Sequence, residues 1–144
     1  MTELKTMYRQ IILDHYKKPR YKGHLTDDYQ LIHMKNPSCG DEITLGVAHN
    51  EDGTLDVRHE GSGCSICCAS ASVMSERVHG ISKEKALELS LEFSKMLLNQ
   101  PFDREGLDEA IAFEGVKDFP ARMKCATLSW KALEKAIKED SNGR

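Results

Sequence analysis

The sequence predicts an α+β fold, a small antiparallel sheet of three strands packed against a layer of helices. Three observations carry this expectation. Two adjacent segments alternate apolar and polar residues around a turn signal, the segments after residue 64 are helical in pattern, and strands precede helices instead of alternating with them. The 144 residues suit one domain spanning 1–144.

In chain order, residues 3–16 read as a helix with Leu4, Met7, Ile11 and His15 near one stripe, ended by Pro19. Residues 29–35 read as a strand. Residues 42–49 set Ile43, Leu45 and Val47 against Thr44, Gly46 and Ala48, the pattern of a half-buried strand. Asn50-Glu51-Asp52-Gly53 is a turn signal, and Leu55, Val57 and His59 alternate in the returning strand. Gly61-Ser62-Gly63 breaks that strand, and Ser65–His79 follows as a helix of small residues with Gly80 as its stop. Ser82 caps a helix to about Leu98, carrying Ala86, Leu89, Phe93 and Leu97. Asp103–Phe113 reads as a shorter acidic helix, and Asp118 with Pro120 opens the last one, to about Lys138. Met34, Met74, Met96, Met123 and Trp130 read as core or groove residues, and His15 as a satisfied structural histidine.

Composition excludes several classes. The net charge of −3 leaves no basic footprint for nucleic acid. No apolar run approaches the ~18–20 residues a membrane span needs, and the start of the chain lacks the apolar stretch of a secretory signal. The expectation is therefore a cytoplasmic protein. Charge is segregated: residues 1–22 carry +4, 26–60 carry −6, 99–118 carry −4 and 120–144 carry +3. A basic first helix and an acidic middle suit a charged protein partner, although a mixed solvated surface accounts for them as well.

Five cysteines in a reducing compartment point to ligands, nucleophiles or buried small groups before disulfides. Cys39 sits in the turn Asn36-Pro37-Ser38-Cys39-Gly40-Asp41. Cys64 follows two glycines and precedes a helix, where the dipole favours a thiolate. Cys125 lies in the first turns of the last helix, beside Arg122 and Lys124. Cys39, Asp41, Cys64 and Cys125 can make a four-ligand site, for which zinc is the natural ion. Burial of the same cysteines as small apolar groups is the competing account. Cys64 and Cys67 also form C-x-x-C, but without the βαβ context of a redox pair, so packing is the better account of Cys67 and Cys68.

Four segments carry a resemblance: Tyr8–Gly23 (YRQIILDHYKKPRYKG), Asn36–Ile43 (NPSCGDEI), Gly61–Ser72 (GSGCSICCASAS) and Phe119–Trp130 (FPARMKCATLSW). The chain resembles iron–sulfur cluster assembly proteins of the IscU/NifU-N type, and within them the SufU branch. Two departures from the IscU pattern favour that branch: Lys124 stands where IscU-type scaffolds carry a histidine, and extra length falls around Leu97–Gly115. Phe119–Met123 likewise replaces their proline-rich chaperone-recognition stretch.

The resemblance implies zinc held by Cys39, Asp41, Cys64 and Cys125, and sulfur taken as persulfide from a pyridoxal-phosphate cysteine desulfurase of SufS type. The sulfur then passes to downstream iron–sulfur assembly proteins. For transfer one ligand must leave the metal, and Cys39, on a loop, is the candidate catalytic thiol. Two other functions share the residues. One is a scaffold on which Cys39, Cys64 and Cys125 bind a [2Fe–2S] cluster. The other is a zinc hydrolase, which would need an open coordination position and a general base.

Overall fold

Alternating burial builds the sheet. The structure, a computed structural model, describes residues 2–23, 25–37 and 40–143, with side chains described for 5–23, 25–37 and 40–139. Strands β1 (Gln30–Asn36), β2 (Asp41–His49) and β3 (Leu55–Ser62) run antiparallel in the order β1-β2-β3. Met34 pairs with Ile43, Ile32 with Leu45 and Val47 with Val57, so one face of the sheet is apolar and buried. The 50–54 turn is closed by Asn50 N–H donating to Thr54 O at 2.8 Å. Gly61-Ser62 does not end β3 as expected: Gly61 pairs with Ile43 and Ser62 with Glu42. An extended glycine keeps its ladder bonds, and here it carries the chain straight to the next helix.

The helices are α1 (Thr2–Lys17), α2 (Ser65–Val78), α3 (Lys83–Leu97), the single turn α4 (Arg104–Leu107) and α5 (Pro120–Gly143). α2 is central, flanked by α1 and α5, and α5 also covers β1 and β2. Its small residues explain that position. Cys67, Ala69, Ser70, Ala71, Ser72 and Ser75 are all fully buried, which lets neighbouring helices approach it on several faces. Ser70 Oγ–H donates to Ala126 O at 2.5 Å, whereas the buried Ser75 hydroxyl has no hydrogen-bond partner among the described residues. Phe93 stacks on Trp130 at 4.5 Å between α3 and α5, inside a core that includes Met74 and Met96.

Three expectations shift. Met7 is 47% exposed; the inward face of α1 runs instead through Ile12 and His15. Asp103–Phe113 is not one helix but α4 followed by a 3-10 segment, Asp108–Asp118. Asp108 takes φ 51°, a left-handed conformation that no α-helix continues through. α5 runs past Lys138 to Gly143. Ser82 caps α3 as expected, its hydroxyl accepting from Lys85 N–H at 3.2 Å. Among the described residues no helix is long and apolar enough to cross a membrane.

Candidate metal centre

Three elements end at one place. Asp41 opens β2, Cys64 is the N-cap of α2, and Cys125 lies in the second turn of α5. Asp41 is completely buried and Cys125 nearly so, while Cys64 is half-buried. One carboxylate oxygen and the two sulfurs lie within 4.8 Å of one another. Ligands about 2.3 Å from a shared tetrahedral zinc stand about 3.5–4 Å apart, so a cluster of this size fits such an ion. The donor set, two soft thiols with one carboxylate, is also chemistry that zinc accepts.

Local structure holds each donor. A buried carboxylate needs hydrogen-bond donors, and Asp41 Oδ1 accepts from Cys64 N–H at 2.9 Å. That bond occupies one of the N–H groups left without a helical partner at the start of α2. Gly63, between the strand and the helix, lies so close to Asp41 that a Cβ on it would overlap the carboxylate. Beneath the donors Ile43, Cys67, Ala71, Cys125 and Leu128 form a small apolar cluster, with Cys64 and Ile66 packed against it. Cys125 Sγ lies 3.6 Å from Ala121 O, to which its thiol donates, and 3.9 Å from Asn36 Nδ2.

One turn before Cys125, the exposed Arg122 faces both sulfurs. The charge of Cys64 and hydrogen bonds to Cys125 and Cys64 push the guanidinium pKa above its ordinary value. Lys124, next to Cys125 in the chain, is exposed. Phe119, at the mouth of α5, is 63% exposed.

Of the four residues singled out in the sequence, the structure brings together Asp41, Cys64 and Cys125. Cys39 lies outside the described residues. Its flanks are placed: Gly40 N–H donates to Asn36 O at 2.9 Å, and Asn36 pairs with Asp41 across the base of the hairpin. Cys67 is fully buried, as packing predicts. Cys68 is only half-buried, and its thiol points to Gly63 O at 3.8 Å. It lines a cavity of about 50 Å³ with Tyr16, Lys22 and His59, and burial raises its pKa.

A second group of possible donors, His15, Glu76 and Glu109, is internally satisfied. His15 Nε2 lies 2.9 Å from Glu109 Oε1, and Arg20 brings a cation to Glu76 at 3.8 Å. It ties α1, α2 and the 3-10 segment together.

Fold and centre together define a small α+β protein whose sheet and two helices present a site of two cysteine sulfurs and a carboxylate. The sequence matches the NifU-like N terminal domain over residues 7–142, and the chain belongs to that family. It is 48% identical over 141 residues to the zinc-dependent sulfurtransferase SufU of Bacillus subtilis, covering 97% of this chain and 95% of that protein. It is 42% identical over 146 residues to the iron–sulfur cluster assembly scaffold protein IscU of Streptococcus pyogenes, covering 100% of this chain and 91% of the relative. The crystal structure of a candidate iron–sulfur cluster assembly scaffold protein for the SUF system from Fervidobacterium islandicum superposes with a TM-score of 0.85 at 38% identity, over 92% of this chain and 97% of the other.

Proposed function

We propose that this protein works in iron–sulfur cluster assembly as a sulfur relay. It takes persulfide sulfur from a cysteine desulfurase of SufS type in the cytoplasm and passes it to downstream assembly proteins. The observation that carries this is the convergence of Asp41, Cys64 and Cys125 within 4.8 Å from three separate elements. The likeness to a zinc-dependent sulfurtransferase supports it.

Cys39, Asp41, Cys64 and Cys125 would hold zinc, which keeps thiolates deprotonated and fixed in place. Cys39 is the acceptor. Its thiolate attacks the outer sulfur of the desulfurase persulfide, a new S–S bond forms on Cys39, and the desulfurase cysteine leaves as a thiolate. No external oxidant or reductant is needed. Cys64 and Cys125 hold the site, being set on helices, and Arg122 stabilises negative charge on the sulfurs at its open side.

A scaffold carrying a [2Fe–2S] cluster on the same cysteines is the second reading, favoured by the 42% identity to a protein named as such. Against it stands Lys124, exposed and unable to act as an imidazole ligand beside Cys125. Anaerobic purification with metal analysis and desulfurase turnover tests the pair. Bound zinc, stimulated turnover, and a Cys39→Ser variant that takes up no labelled sulfur are the expected results. Full sulfur transfer by Cys39→Ser would overturn the relay through this residue. Stoichiometric iron and acid-labile sulfide that move to an apo-acceptor would establish the scaffold.

A further inference from the structure

We propose that Asn36 is a positioning residue of the metal centre, its side-chain amide donating to the Cys125 sulfur and keeping that cysteine a resident ligand. The inference presupposes the metal site proposed above and adds to it a division of labour among the thiolates.

Asn36 is the last residue of β1 and is 5% exposed. In the two-residue rhythm of the strand, the inward positions are Ile32, Met34 and Asn36. The first two are apolar and join the core, while the third is an amide. Burying an amide without partners is costly, so an apolar side chain would pack there at lower cost unless the amide is used.

The backbone carbonyl of Asn36, which any residue there would offer, accepts from Gly40 N–H at 2.9 Å. The side-chain amide has a use of its own: Nδ2 points at Cys125 Sγ from 3.9 Å, at the long end for a donor to sulfur.

The second contact matters most once Cys125 is a thiolate. The thiol form donates to Ala121 O at 3.6 Å. A ligating thiolate has no proton to give and accepts only, and the Asn36 N–H is already aimed at it. Donation to a coordinated sulfur withdraws charge from it, orients its lone pairs and lowers its nucleophilicity. Outer-shell donors of this kind change metal affinity by about 10–100-fold. Cys125 is thereby retained as a ligand, and sulfur chemistry is left to Cys39.

The test uses cobalt(II) as a spectroscopic substitute in the full-length protein, comparing wild type with Asn36→Leu, which keeps the number and branching of side-chain heavy atoms and removes the donor. Expected are cobalt affinity lower by about 10–100-fold in chelator competition and a sulfur-to-cobalt charge-transfer band moved to longer wavelength. Affinity within about twofold of wild type, with the band unmoved, would overturn the role of Asn36 while leaving the metal site standing. Wild type that binds neither cobalt nor zinc overturns the metal site and this inference with it. Should Asn36→Leu not fold, ¹¹³Cd-loaded, ¹⁵N-labelled wild type decides. Scalar coupling between cadmium and the Asn36 side-chain amide proton is expected, and its absence in a cadmium-bound protein overturns the proposal.

Discussion

His15 and Ser72, 57 positions apart, share a 2.8 Å hydrogen bond in the buried seam between α1 and α2. Ser72 Oγ also accepts from Arg20 N–H at 2.8 Å, and His15 Nε2 faces the Glu109 carboxylate at 2.9 Å. A carboxylate only accepts, so Nε2–H donates to Glu109, while Nδ1 and the Ser72 hydroxyl share the second bond. A single hydroxyl thus joins α1, the loop after it and α2.

Ser72→Ala removes the Ser72 partner of both His15 Nδ1 and Arg20 N–H. Buried groups left unsatisfied cost about 1–3 kcal/mol, so the melting temperature should fall by several degrees. The proposed metal site lies elsewhere and should keep its zinc affinity. Thermal melts and chelator competition on the same sample check both halves, and an unchanged melting temperature would mean water replaces the hydroxyl without loss.

His59 gives the fold a pH dependence of known sign. It is 3% exposed, Nε2–H donates to Arg20 O at 2.8 Å, and burial lowers its pKa below the usual 6.5. The unfolded chain therefore binds the proton more readily than the folded one. Stability is full above the unfolded value near 6.5 and declines as pH falls below it, by at most about 1.4 kcal/mol per pH unit for one proton. His59→Gln retains an N–H to reach Arg20 O and cannot titrate. Denaturant midpoints measured from about pH 5 to about pH 7.5 should fall less steeply on the acid side in the variant. Equal slopes would place the acid sensitivity in other groups.

How far the sequence reveals this molecule depends on the range of the interaction. The hairpin of β2 and β3 follows from alternation at Ile43, Leu45, Val47, Leu55 and Val57 and from the Asn50–Gly53 turn, all local signals. The Ser82 cap is equally local. The stretch after Asp103 departs from a single helix at Asp108, whose φ of 51° no periodicity signals, and Arg104 pairs with Glu114 at 2.8 Å across that break. The grouping of Asp41 with Cys125 follows from the motifs and not from spacing, since the two are far apart in the chain and meet only in the fold. Asn36 lies within the Asn36–Ile43 motif, which by itself gives it no role. Its signal was an amide in the inward phase of β1, visible only once the phase is known.

Gly63 couples the backbone to the site. It adopts φ 152°, and a Cβ there would overlap the Asp41 carboxylate. Gly63→Ala should lower stability by about 1–3 kcal/mol and weaken zinc binding, because Asp41 must shift to make room. Gly53→Ala is the matched control, with φ 87° but nothing within 4 Å of the added carbon. It should carry a backbone cost alone and leave zinc affinity at the wild-type value. Equal zinc affinity in the two variants would show that Asp41 is not held by this contact.

Asp41 has two separable tasks, and two substitutions divide them. Its Oδ1 accepts the Cys64 N–H at 2.9 Å, which fixes the start of α2, and its charge is available to a cation. Asp41→Asn keeps an acceptor at Oδ1 and loses the charge. Asp41→Ala loses both and leaves a buried N–H without its carboxylate. For metal-free protein the Asn variant should melt near wild type, while the Ala variant should be weaker by about 1–3 kcal/mol. For zinc, both should bind at least about tenfold more weakly, since the anionic ligand is gone in each. Chelator competition gives the affinities and urea unfolding of the chelated protein gives the stabilities. An Asn variant with wild-type zinc affinity would remove Asp41 from the ligand set and reduce it to a cap for α2. A stable Ala variant that loses zinc would do the reverse, leaving it a ligand whose bond to Cys64 N–H carries no weight in the fold.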